Sequence, residues 1–183
     1  MNCAVYQTPL TPYPNLGLKS APTYVTCSRI AGVVCGEMLA RLESSTYPIK
    51  DRNNNPIVGF DCEWRTPTSE NKADAIQISV AGMPVHVFAP TVGKWKQIPP
   101  LMTSLLELKD VIKVGNRIHN DVRAMSYWRV TVPKESTLEL GHMAYDRSVS
   151  RTRNPSLAGL CRSLLSRTIP KEVTKACAEC CWH

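Results

Sequence analysis

The sequence predicts a mixed α/β fold, a sheet built around an antiparallel meander and flanked by helices. Three observations carry this expectation. Three apolar or alternating runs, 57–64, 75–80 and 85–88, follow one another, with a Gly82-Met83-Pro84 break between the last two, as strands of a meander do. Runs with helical spacing lie on both sides of them. The chain has 183 residues, 43% of them hydrophobic, which suffices for one domain with a sizeable core.

The elements follow in order. Residues 1–22 hold Pro9, Pro12, Pro14 and Pro22 with little periodicity and read as a Pro-rich leader ahead of a domain over 23–183. Thr23 to Cys27 reads as a short strand. Ile30, Val33, Val34, Met38, Leu39 and Leu42 recur at helical spacing, so 29–43 is an amphipathic helix with Ser28 as its cap. Ser44 to Asn55 is a polar loop with a turn signal before Pro56. Ile57 to Trp64 is a strand, apolar at its start and acidic at its end, and Ala75–Val80 and Val85–Phe88 complete the meander. Ile98–Leu108 is helical, Val111–Val114 is a fourth strand ended by Gly115, and His119–Trp128 is helical again. Leu138–Ala144 fits either a helix or a strand. Pro155–Leu165 is a helix with Asn154 as cap and Pro155 in its first turn.

Composition narrows the function classes. No apolar run approaches the roughly 18 residues that span a bilayer, and residues 1–20 lack the basic start and apolar core of a secretory signal. Lys plus Arg number 22 against 15 Asp plus Glu, a net charge of +7. Between Arg147 and Lys175 lie seven cations and Glu172 alone, so most of the surplus is local. Such a stretch is either a solvated basic face or an attractor of polyanions, nucleic acid or an anionic lipid surface. A lipid binder would need an amphipathic membrane helix, and none is evident. The eight cysteines mostly sit singly in apolar runs and read as small buried hydrophobes of a reducing, intracellular compartment, nuclear or cytoplasmic.

Asp61 and Glu63 are the strongest chemical signal. On a strand, residues two apart point to the same face, and two adjacent carboxylates repel. Either this strand end is wet, or a cation is bound there, and a hard divalent ion such as Mg²⁺ or Mn²⁺ prefers oxygen ligands. Asp121, in Val114-Gly-Asn-Arg-Ile-His-Asn-Asp121, falls in the first turn of a helix that follows a strand. It is either a carboxylate favoured by the helix dipole or a third ligand brought beside the first two by sheet adjacency.

Together these segments resemble the DEDD superfamily of 3′–5′ exonuclease domains, of the Werner-helicase and ribonuclease D type. The resemblance runs from about Thr23 onward. It rests on Val58-Gly-Phe-Asp-Cys-Glu-Trp64, Ala75–Val80, Val114–Asp121, Leu138–Ala144 and Pro155–Leu165, in that order and spacing. It implies a ribonuclease H-like sheet, an antiparallel meander plus a parallel strand. It also implies hydrolysis of phosphodiester bonds by two Mg²⁺ or Mn²⁺ ions about 4 Å apart, at a single-stranded 3′ end of DNA or RNA. By the same resemblance Asp61 bridges both ions, Glu63 binds the ion nearer the attacking water, and Asp121 holds the second through waters. Arg151 and Arg153, in the loop before the last helix, are placed to reach substrate phosphates. Trp64 and Trp128 are either stacking platforms or core, and His119 either touches phosphate or is a turn histidine.

The superfamily pattern has one more motif, Tyr-x-x-x-Asp on a final helix, and none follows residue 165. His142-Met-Ala-Tyr-Asp146 has the spacing but precedes the Pro155–Leu165 helix. The expectation is therefore a fold truncated at its C-terminus, with apolar surface left open where that helix would lie. The chain is then either an incomplete active exonuclease or a catalytically impaired nucleic-acid-binding or scaffold domain. Cys177, Cys180, Cys181 and His183 have half the spacing of a zinc site, or are thiols that a complete domain buries.

Overall fold

The computed structural model describes residues 5–7, 21–64 and 72–167. Its strands are β1 (Val5–Gln7), β2 (Thr23–Val25), β3 (Ile57–Glu63), β4 (Ala75–Ser79), β5 (His86–Phe88), β6 (Ile112–Gly115) and β7 (Thr137–Glu139). Its helices are α1 (Ser28–Glu43), α2 (Pro100–Glu107), α3 (Ile118–Ser126), α4 (Leu140–Asp146) and α5 (Leu157–Leu165). The strands form one sheet in the order β1-β2-β5-β4-β3-β6-β7. The meander β3-β4-β5 is antiparallel, while β2 joins β5, β6 joins β3 and β7 joins β6 in parallel.

Alternation along β3 separates the two faces of the sheet. Val58, Phe60 and Cys62 are buried, whereas Gly59 and Asp61 are half-buried and Glu63 is exposed. The buried side packs against Ala31, Cys35, Met38 and Leu42 of α1, Met102, Leu105 and Leu106 of α2, and Ala124 and Met125 of α3. The α1 residues recur at steps of four, three and four, the stripe that makes it amphipathic. Lys113 lies on the same core side, pairing with Val58 in register. It is fully buried, and its Nζ donates to the Leu108 carbonyl at 2.6 Å. Burial pulls its ammonium down to about 8, because a charge removed from water is disfavoured.

Several expectations change. Within residues 1–22, Val5–Gln7 form an edge strand paired antiparallel with β2, a non-local pairing that Pro content does not reveal. Ser28 is the first helical residue of α1, and Cys27 occupies the cap position without a side-chain hydrogen bond. Ser156, not Asn154, caps α5, accepting from the Gly159 N–H at 3.1 Å. The segment 138–144 is both strand and helix, since β7 runs directly into α4. Cys27 is disulfide-bonded, so the reading of every cysteine as reduced fails there. Cys35 and Cys62 do behave as buried thiols; burial pushes the Cys35 thiol up to about 12. No described helix is long and apolar enough to cross a membrane.

The other face of the sheet is only partly covered. Leu140 of α4 and Leu157 of α5 wall an open cleft of about 410 Å³ whose floor includes Gly59, Asp61, Gln77 and Ser79. Behind it, α4 and α5 leave an apolar groove of about 420 Å³ lined by Leu140, Met143, Leu157, Leu160, Leu164 and Cys161, among others. Leu164 and Leu165 of α5 are 56% and 65% exposed.

Candidate active site

Strand β3 outruns its neighbour β6, which pairs only with Ile57, Val58 and Gly59. Alongside the uncovered end lies the first part of α3. The Cys62 N–H, between Asp61 and Glu63, donates to Asp121 Oδ1 at 3.2 Å. The third carboxylate therefore touches the backbone of the strand that bears the other two. Gly115 makes this approach possible: a Cβ there would lie 2.7 Å from the Phe60 carbonyl oxygen and 3.3 Å from Ile118 Cβ. Gln77, across from Asp61 in the β3–β4 register, donates from Nε2 to Asp61 Oδ2 at 3.2 Å.

The electrostatics follow from crowding. Asp121 is 4% exposed, and its Oδ2 is buried with no hydrogen-bond partner among the described residues. Burial first, and then the charge of Asp61, push its carboxyl up to about 8, against the Cys62 N–H that favours the anion. Burial and the Glu63 charge push Asp61 up to about 6, and burial raises Glu63 as well. The Cys62 thiol is driven far up by burial and by all three carboxylates. A cation among these carboxylates would offset their mutual repulsion, and the Asp121 oxygen left without a hydrogen bond among the described residues is of the hard type that a divalent ion takes up. Among the described residues, however, no three His, Cys, Asp or Glu side chains converge closely enough to form a ready-made metal site. Asp61 and Glu63 line the cleft and Asp121 lies behind them.

Glu139, which the sequence reading missed, organises the start of α3. Its carboxylate accepts from the Arg117 N–H at 2.8 Å, the Ile118 N–H at 2.9 Å and the Gly141 N–H at 3.2 Å. It thereby caps two helices at once and holds Arg117 in the left-handed region at φ 63°, a conformation that costs energy for a side chain with a Cβ. Its charge also adds to the crowding on Asp121. Asn116 lines the cleft, its Oδ1 buried and without a hydrogen-bond partner among the described residues. Gln77 had a legible signal, being the polar position in an alternating strand. Glu139 had none, because it acts on a helix some twenty residues earlier.

The remaining site expectations divide. His119 is exposed on α3. Arg151 and Arg153 are exposed in the loop before α5, but Arg153 is paired with Asp146 at 3.6 Å and lies over the Tyr145 ring at 5.4 Å. Trp64 is half-buried against the core. Trp128 is a core residue, 8% exposed, its Nε1 donating to the Ala73 carbonyl at 2.9 Å, the core alternative of its two readings. His142 and Asp146 sit exposed on α4, away from the cleft lining. Cys177, Cys180, Cys181 and His183 lie outside the described residues.

The fold is similar to that of the EXD2 exonuclease domain. A crystal structure of that domain matches with a TM-score of 0.56 and 15% identity, over 87% of this chain and 83% of that one. A crystal soaked in Mn and GMP gives 0.54 and 17%, over 86% and 82%, and one soaked in Mg and dGMP gives 0.55 and 16%, over 87% and 83%. No protein-family model and no curated protein matches the chain. At these identities the likeness is one of fold, and it meets the expectation of a ribonuclease H-like mixed sheet.

Proposed function

We propose that the chain is a 3′–5′ exonuclease domain of the DEDD type that uses Mg²⁺ or Mn²⁺ to hydrolyse phosphodiester bonds at single-stranded 3′ ends of DNA or RNA. The observation that carries this reading is the buried, half-satisfied carboxylate of Asp121 bonded to the backbone between Asp61 and Glu63. Asp61, Glu63 and Asp121 are the residues that would hold the ions. Bound there, a pair of divalent cations would stabilise negative charge on the reacting phosphate and make an attacking water more acidic.

The chain's own groups set the stage for that chemistry. The Gln77 amide fixes one oxygen of Asp61, leaving the other for a ligand. The Cys62 N–H does the same for Asp121. Glu139 locks the turn from which Asp121 projects, and Leu140 and Leu157 give the cleft an apolar wall against which a sugar or base can lie. We place the domain over 23–183 and its setting inside the cell, nuclear or cytoplasmic.

Release of the terminal nucleotide from 3′-labelled single-stranded DNA and RNA, with and without Mg²⁺ or Mn²⁺, tests the proposal. Asp61→Asn should lower the rate by more than about 100-fold, since several kcal/mol of charge stabilisation depend on the ions it would hold. Turnover equal to wild type would contradict it. A second reading, a nucleic-acid-binding or scaffold domain of this fold that does not hydrolyse, is favoured by the lack of three converging ligands among the described residues. Oligonucleotide binding without turnover in either metal would decide for that reading.

A further inference from the structure

Cys27 is disulfide-bonded, while Cys35, Cys62 and Cys161 are free thiols. Of the eight cysteines in the chain, Cys3, Cys177, Cys180 and Cys181 remain as candidates for its partner. The register at the sheet edge selects among them. Strands β1 and β2 are antiparallel, with Gln7 opposite Thr23, Tyr6 opposite Tyr24 and Val5 opposite Val25. Two further steps along that register set position 3 against position 27. Residues directly opposite in an antiparallel pair have Cα atoms about 4.5–5.5 Å apart, inside the range of about 4.4–6.8 Å that a disulfide bridges.

The two strands are held very differently. Strand β2 pairs with β5, the Ala89 N–H donates to the Val25 carbonyl at 3.0 Å, and Trp95 Nε1 donates to the Thr26 carbonyl. The Ala31 N–H donates to the Cys27 carbonyl at 2.9 Å, which joins Cys27 to the first turn of α1. Cys27 therefore sits on a fixed corner. Strand β1 has three residues and ends the sheet, paired with β2 alone among the described strands. Its few hydrogen bonds work against the entropy of ordering it, so a covalent link at its outer end decides whether it stays. Cys27 is half-buried, whereas Cys35 and Cys62 are buried. A small thiol can thus reach its sulfur, and exposed disulfides are the labile ones.

We propose that Cys3 and Cys27 form a redox-operated clasp, which fixes β1 to the sheet edge when oxidised and releases it when reduced. On closing, both S–H bonds break and one S–S bond forms. The two electrons and two protons pass to a disulfide oxidant such as glutathione disulfide, which leaves as two thiols. Two glutathione thiols reverse the step. Strands β2, β5 and β4 separate β1 from the acidic strand β3, and the clasp does not depend on the nuclease reading.

Mass spectrometry of the 183-residue chain, treated with glutathione disulfide, alkylated and digested with trypsin without reductant, tests the pairing. The tryptic peptides 1–19 and 20–29 hold one cysteine each, Cys3 and Cys27. They should appear as one linked species that dithiothreitol separates. Hydrogen exchange tests the clasp. The amides of Val5–Gln7 should exchange about 100-fold faster in the reduced chain, the effect of opening a loop of about 25 residues. Those of Ala75–Ser79 should exchange alike in both states. Cys3→Ser should show the faster β1 exchange with or without glutathione disulfide. Cys27 found as a thiol, or linked to a peptide bearing Cys177, Cys180 or Cys181, or to a second chain, overturns the pairing. Equal β1 exchange in the oxidised and reduced chains overturns the clasp.

Discussion

Replacing Asp121 with Asn keeps the oxygen that accepts from Cys62 and removes the charge. In the metal-free protein this should stabilise the fold, and only at high pH. Asp121 is 4% exposed, and burial beside Asp61 raises its carboxyl from 3.8 to about 8. Below about pH 4 the folded and unfolded chains both hold the proton, and the charge costs nothing. As pH rises toward 8 the unfolded chain releases it first, so wild-type stability falls, and above about pH 8 the full cost is present. A shift of about four units corresponds to at most about 6 kcal/mol at about 1.4 kcal/mol per unit. Water reaching Asp61 and Glu63, together with local relaxation, reduces this to about 3 kcal/mol. For a chain of this size that amounts to about 6–12 °C in melting temperature. Circular dichroism melts in EDTA at about pH 4 and about pH 9 should show the two proteins equal at the first and Asp121→Asn ahead at the second. Excess Mn²⁺ should raise the wild type by about 3 kcal/mol at 100 times its dissociation constant and leave the variant nearly unmoved. A gap between variant and wild type that is the same at both pH values, or a less stable Asp121→Asn protein at high pH, would refute the reasoning.

Other perturbations probe the scaffold. Gly115→Ala forces a methyl to within 2.7 Å of the Phe60 carbonyl; denaturant titration should show a loss of about 1–3 kcal/mol, with weakened metal stabilisation because α3 is pushed off β3. Glu139→Ala leaves three backbone N–H groups without their acceptor and should cost about 2 kcal/mol in the same titration. Leu164→Lys with Leu165→Lys, on the exposed side of α5, should suppress self-association in light scattering while shifting stability by no more than about 0.5 kcal/mol.

The parts of this structure legible in the sequence are those written in short-range periodicity. Each strand of the β3-β4-β5 meander, the α1 stripe and the strand-Gly-helix passage through Gly115 carries its pattern within about a dozen residues. The register then brings Gln77 beside Asp61, and the uncovered end of β3 brings Asp121 to Cys62. The missed features are non-local or depend on a choice between near-equal caps. Val5–Gln7 pairs with a strand sixteen or more residues away. Glu139 works on α3 only because β7 lies beside β6. Ser156 displaces Asn154 as the α5 cap because the helix begins two residues later than Pro155 suggests. Lys113 reads as the polar position of an alternating strand and is instead buried under α2's end, where the Leu108 carbonyl satisfies it.

The central claim is that acidic groups from β3 and α3 gather divalent cations. Isothermal titration of the protein with Mn²⁺ tests it most directly. The account predicts saturable binding to the wild-type chain that Asp61→Asn and Asp121→Asn each abolish or weaken by more than about tenfold. Undiminished binding in both variants, or none in the wild type, would contradict it.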